Sequence, residues 1–142
     1  MDDASNVRDD VPDWGGVGAR RLVRAGGLGG SVWEFQPGQG QFVYHFHHAS
    51  EELLVVLRGT PTVRVHDGDR QLKEGDVVGF PRGAEGGHQI RNEGNGPARV
   101  LIVSTNADPD VAEYDSGKLG VWIGGDGRFF RLEDAVEHSG PE

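Results

Sequence analysis

The sequence predicts an all-β protein, a sandwich or barrel of short antiparallel strands, and three features of the chain say so. Glycine is the commonest residue, at 24 of 142 positions, and it punctuates the whole length. Strong helix-forming runs are scarce, and short β-branched and aromatic stretches fill the intervals between glycines. Asp67-Gly68 lies between two such stretches and is the strongest kind of local hairpin signal. A chain of this length makes one domain with room for a core.

Residues 1–18 are polar, acidic and Gly-broken, and read as a loosely held arm before a single domain over 19–142. Trp14 would pin that arm, and Val11-Pro12 disfavours helix. Arg20 to Arg24 reads as a short strand. Ser31 to Gln36 alternates, with Val32, Glu34 and Gln36 on one face and Trp33 and Phe35 on the other, and Pro37-Gly38 ends it. Gln41 to His47 is the next strand. Residues i and i+2 of a strand share a face, so Val43, His45 and His47 point one way and Phe42, Tyr44 and Phe46 the other. Three aromatics behind the histidines call for cover by another strand layer, the N-terminal segment or a partner subunit.

Glu52 to Arg58 is apolar on both faces after its first residue, the pattern of a strand buried on two sides. A carboxylate opening such a strand needs a compensating partner. Gly59 turns the chain. Thr62–His66 and Arg70–Lys73 flank the Asp-Gly hairpin, Glu74-Gly75-Asp76 turns into Val77–Pro81, and a loop over 82–87 leads to a strand on which His88, Ile90 and Asn92 share a face. Ala98 to Thr105 closes the body. A C-terminal extension begins at about 106, with a helical turn over Pro109–Tyr114, strands over Gly117–Ile123 and Arg128–Leu132, and a helical stub over Glu133–His138.

Composition excludes several functions. The net charge is -9, from 23 acidic and 14 basic residues, which opposes a nucleic-acid partner. No apolar run is long enough for a membrane helix. The start, Met-Asp-Asp-Ala, lacks the basic and apolar regions of a signal peptide, which points to the cytoplasm. Cysteine is absent, so disulfides, thiolate ligands and cysteine nucleophiles are out. There is no Gly-rich phosphate loop joined to a helix and no Gly-x-Ser-x-Gly elbow.

The chain does hold His45 and His47 one residue apart, then Glu52, then the distant His88, which is the inventory of a four-ligand metal site. Three neutral nitrogens and one anionic oxygen suit a divalent first-row metal. These residues belong to a wider pattern that resembles the two motifs of the cupins. Gly40, His45, His47, Glu52 and Gly59 follow the first motif, with four residues in place of the usual five after Gly40. Gly75, Pro81, Gly83, His88 and Asn92 follow the second, with four residues between Gly83 and His88 in place of two. The flanking text is similar to small single-domain microbial cupins over roughly residues 30–125.

The resemblance implies an antiparallel jelly-roll β-barrel, commonly a homodimer, with His45, His47, Glu52 and His88 as ligands of a divalent transition metal: Fe, Mn, Ni, Co, Cu or Zn. Spacing favours Glu52 over its neighbour Glu51. About two positions on the ion would stay open for water or substrate. Val43, Leu54, Val56 and Ile90 share faces with the ligands and would line the pocket, while Gln39, Arg82 and Glu85 sit on loops near its mouth. His48 faces away, and Asn92 is expected to brace the backbone. The implied function is a metal-dependent oxygenase, isomerase or lyase/decarboxylase acting on a small polar metabolite; the alternative is a non-enzymatic small-molecule binder or sensor.

Overall fold

The computed structural model describes residues 4–41, 43–138 and 140. Its strands are β1 (Val17–Ala25), β2 (Leu28–Phe35), β3 (His45–His47), β4 (Glu52–Arg58), β5 (Thr62–Val65), β6 (Gly68–Gln71), β7 (Val77–Phe80), β8 (His88–Arg91), β9 (Ala98–Ser104), β10 (Asp110–Tyr114), β11 (Lys118–Ile123) and β12 (Asp126–Arg131). They form two antiparallel sheets, β1-β2-β9-β4-β7 and β12-β11-β10-β3-β8-β5-β6. The fold is the all-β jelly roll that the sequence predicts, although the sheets do not close into an unbroken barrel. Phe35, Leu54, Val56, Val100 and Ile102 of the first sheet pack against Val63 and Ile90 of the second, and this contact is the core. Among the described residues no helix is long and apolar enough to cross a membrane.

Strand β4 departs from the two-sided burial its run of apolar residues predicts. Leu54 and Val56 enter the core, but Leu53 is 49 % exposed on the outer face, beside Val77 at 60 %. The strand lies inside its sheet, so its backbone is paired on both edges, while its outer face is only partly covered, with Val55 and Leu57 half-buried. Gly59 ends it with φ 78°, a conformation that glycine adopts without steric cost.

Strands β1 and β2 each begin three residues earlier than read from sequence, at Val17 and Leu28, and three further segments differ from that reading. Residues 110–114 are a strand and not a helical turn, because β10 is hydrogen-bonded between β3 and β11 and its Asp110 and Ala112 alternate inward. The expected C-terminal helix shrinks to a 3-10 turn at Leu132–Asp134, exposed throughout; so short a segment has no packing to hold a helix. The strand expected from Gln41 covers only His45–His47. Before it, Gly40 bridges Arg91 and the Gln41 amide donates to Ile90 O. Phe42 lies outside the described residues. Tyr44 and Phe46 are half-buried: the Tyr44 hydroxyl lies against Gly87, and the Arg64 guanidinium sits 5.0 Å from the Tyr44 ring centre.

The N-terminal segment is tied down by arginines and not by Trp14, which is 68 % exposed. Arg99 donates to Val7 O at 3.0 Å and Asp9 O at 2.9 Å, and Arg20 donates to Asn6 O. Asn92 braces the backbone as expected. It is buried, donates to Phe35 O and Gly96 O, and accepts from the Gly94 amide.

Candidate metal centre

The geometry follows from register. His45 of β3 pairs directly with His88 of β8, so their side chains leave the sheet on one face, and the rings lie 4.8 Å apart. His47, two residues on, shares that face. Glu52 opens β4 in the opposite sheet and meets them across the interior. Its carboxylate lies 3.4 Å from His88 Nε2 and 3.9 Å from His47 Nε2. One ligand atom from each of His45, Glu52 and His88 falls within 4.8 Å of the others. His47 stands beside that trio, joined to it through Glu52.

Each imidazole is fixed by its other nitrogen. Nδ1 contacts Gly86 O at 2.9 Å in His88, Asp110 Oδ2 at 2.8 Å in His47 and Val43 O at 3.3 Å in His45. A carbonyl or carboxylate oxygen only accepts, so each Nδ1 carries a proton, and in the neutral imidazole the lone pair is then on Nε2. The His88 Nε2 is buried and has no hydrogen-bond partner. A buried, unpaired lone pair facing a carboxylate is costly unless a cation joins them. On this ground the residues fit a divalent metal.

Charge points the same way. Burial, aided by repulsion from His45, lowers His88 to about 3. His45 is also lowered, by burial and then by His47. Both are therefore in the neutral form that binds metal. Burial raises Glu52, with His47 opposing the shift and Asp110 adding to it. Its charge is incompletely compensated by the protein alone. For Asp110, burial acts upward but is outweighed by hydrogen bonds from the Ser50 hydroxyl, the Ala49 amide and His47, so it is lowered and stays ionised.

Aromatic packing holds the rings. Phe80 stacks on His88 at 3.7 Å and Tyr114 on His45 at 5.2 Å. Trp122 lies 6.2 Å from His47, its indole laid across Gly120 and Gly127, where an added Cβ would come within 2.6 Å of it. A cavity of about 640 Å³ opens beside Glu52 and His47, bounded also by Trp33, Asp110 and Trp122.

The expected apolar lining is not what bounds this cavity. Leu54, Val56 and Ile90 do share the ligands' faces, but they lie deeper along their strands and are fully buried in the core. Val43 contributes its carbonyl to His45. His48 turns away and meets Glu113 at 2.5 Å, and Glu51 pairs with Arg82 at 2.7 Å. Gln39 packs over Gly16, and Glu85 sits in the 3-10 turn Ala84–Gly86.

Sequence reasoning missed Asp110, Tyr114 and Trp122. Strand alternation across Asp110, Ala112 and Tyr114 was the available signal, hidden by reading that segment as helical. Asp110 orients His47 through its Nδ1, the kind of contact that raises an imidazole's basicity at its other nitrogen. Asp110→Asn is expected to weaken divalent-metal affinity by about 10–100-fold while the far-ultraviolet spectrum stays unchanged. Titration calorimetry with Mn²⁺ or Zn²⁺ checks this, and an unchanged affinity removes the orienting role.

The model of the cupin domain matches residues 31–104, just over half of the 142-residue chain. The chain belongs to the cupin family. Among solved cupins, the sugar phosphate isomerase from Silicibacter pomeroyi superposes with a TM-score of 0.75 at 24 % identity, covering 87 % of this chain and 82 % of that one. A candidate sugar phosphate isomerase from Acidithiobacillus ferrooxidans gives 0.69 at 28 % identity over 80 % and 72 %. The tetracenomycin polyketide synthase protein TcmJ of Streptomyces glaucescens is 34 % identical over 69 residues, 49 % of this cupin. The matched stretch spans 44 % of that curated relative, less than half its length.

Proposed function

We propose that this cupin is a divalent-metal-dependent enzyme acting on a small polar metabolite, with isomerisation the best-supported reaction class. The observation that carries it is the set of three imidazoles whose Nδ1–H groups are already engaged, leaving their Nε2 lone pairs beside a buried carboxylate. His45, His47, Glu52 and His88 would hold the ion. When bound, such an ion supplies Lewis acidity toward a carbonyl or hydroxyl oxygen. The chain's own groups position and shield. Asp110 holds His47, Phe80 and Tyr114 stack against His88 and His45, and Trp122 walls the cavity beside His47. Burial, with Glu52 and Asp110 nearby, raises Tyr114, so its phenol stays protonated and able to donate.

The likeness at 28 % identity to a candidate sugar phosphate isomerase supports isomerisation over oxygenation or decarboxylation. The cavity volume suits a small metabolite. A homodimer belongs to the same reading, with Leu53 and Val77 exposed on the outer face of the five-stranded sheet; a light-scattering mass of one chain would remove it.

Metal analysis of protein purified without added metal, followed by an aldose–ketose assay with Mn²⁺, Fe²⁺, Ni²⁺, Co²⁺ or Zn²⁺, tests the proposal. About one metal per chain and turnover are expected. Metal far below one per chain, with no binding or stabilisation on addition, ends it. Saturable metabolite binding without turnover would make the protein a binder or sensor.

A further inference from the structure

We propose that Arg21 and Arg24 form a binding site for an oxyanion, phosphoryl or carboxylate, carried by the metabolite whose other end reaches the His–Glu cluster. The route of the far end rests on the metal-centre reading; the anion site itself does not.

Both arginines line the cavity that opens at Glu52. In a regular strand, residues three apart face opposite ways. Here a bulge between Arg21 and Arg24 shifts the register, so that Arg21 pairs with Ser31 and Arg24 with Gly29. Ser31 and Gly29 are two apart in β2, so both arginines come to the inner face. The pairings continue across the sheet. Glu52 pairs with Ser104, Ser104 with Gly29, and Gly29 with Arg24, forming one row; Leu54, Ile102, Ser31 and Arg21 form the next. Three interstrand steps separate Glu52 from Arg24, about 14 Å between backbones. The row between them carries only the small residues Ser104 and Gly29, with the Asn106 side chain lying over Gly29.

Gly29 shapes the anion end. An added Cβ there would collide with Asn106 Nδ2 and come within 3.3 Å of Arg24 Nε. A guanidinium and an amide therefore already converge over that backbone. The third arginine bounding this cavity, Arg20, lies 3.8 Å from the Asp9 carboxylate. Among the described residues Arg21 and Arg24 have no such partner. The nearby acids are engaged elsewhere. Asp108 accepts from the Gly124 and Gly125 amides, and Asp110 holds His47. Two unpaired guanidinium forks at one end of a cavity, with a metal-binding cluster at the other, match a short metabolite carrying one oxyanion group.

The test is calorimetric titration of the full chain, with and without Mn²⁺, using inorganic phosphate, succinate, fructose 6-phosphate and fructose. Fructose 6-phosphate is expected to bind at least about tenfold more tightly than fructose, and Arg21→Ala/Arg24→Ala to lose that advantage. Manganese affinity of the double variant should stay within about twofold of the parent. Arg58→Ala, which removes the charge of an arginine that does not line the cavity, should leave phosphate-ester binding intact. Tighter binding of succinate than of phosphate, lost in the double variant, supports the site and assigns a carboxylate. Loss of inorganic phosphate binding in the double variant of a protein that takes no metal would keep the anion site and end the metal reading. Equal binding by parent and double variant, an equal loss in Arg58→Ala, or no binding of any probe by the parent overturns the proposal.

Discussion

Replacing Glu52 by Gln is expected to abolish metal binding and, in the same protein, to make the metal-free fold more stable. The carboxylate is 14 % exposed, raised by burial, and faces His88, whose imidazole is held neutral by its own burial. Without a metal its charge is desolvated and poorly repaid by its neighbours. A neutral amide of the same shape relieves that by about 1 kcal/mol, a few degrees in melting temperature. With a metal the sign reverses. An ion at a thousand times its dissociation constant stabilises the parent by about 4 kcal/mol, on the order of 10 °C for a chain of this size. The amide, a far weaker ligand, loses nearly all of it. Thermal melts of both proteins with and without excess Mn²⁺ read the crossover. If Glu52→Gln melts lower than the parent without metal, Glu52 is instead half of a structural ion pair with a protonated histidine.

Acid should destabilise the metal-free protein well before ordinary carboxylate titration. His88 has an unfolded value of 6.5 and a folded value of about 3, because its site excludes the charged form. Above 6.5 it is neutral in both states and contributes nothing. Below 6.5 the unfolded chain takes up a proton that the folded chain refuses, so stability falls by up to about 1.4 kcal/mol per pH unit until roughly pH 3. His45 is lowered and acts in the same sense. Glu52 acts oppositely. Its folded value is raised above 4.5, so it returns stability as pH falls through that folded value, and the return is complete below 4.5. Asp110, lowered from 3.8, keeps its contribution until the pH falls below that value. The decline should therefore be partly offset above 4.5 and steepest between 4.5 and 3. Urea unfolding from pH 7.5 to 3.5 measures it, and His88→Gln should flatten the curve. A parent whose stability is level from 6.5 to 4 would show that water reaches the imidazole.

The ligand inventory was readable because its information is local. His45 and His47 share a face by strand alternation alone, and Glu52 announces itself as a carboxylate opening an apolar strand. The spacing that resembles the cupin motifs then placed His88 in the same set, and the structure brings it opposite His45 in register. The errors cluster where the outcome depended on neighbours. Pro109 to Tyr114 reads as a helical turn in isolation, yet two flanking strands recruit it, and Asp110 and Tyr114 thereby reach the site. Leu54, Val56 and Ile90 share the ligands' faces as read, but how deep along the strand the cavity ends is a packing question, and they fall on the core side of it.

The residue types and their spacing along the chain thus determined that this protein is all-β and that three imidazoles and a carboxylate could converge on one point. Only the tertiary structure decided what surrounds that point: which acceptor holds each Nδ1, which aromatic covers each ring, and that a bulge in β1 turns both Arg21 and Arg24 inward. The physical reason is range. Strand alternation is imposed residue by residue by backbone stereochemistry, whereas register, bulges and depth are settled by pairing between strands far apart in sequence, which no short window of the chain contains.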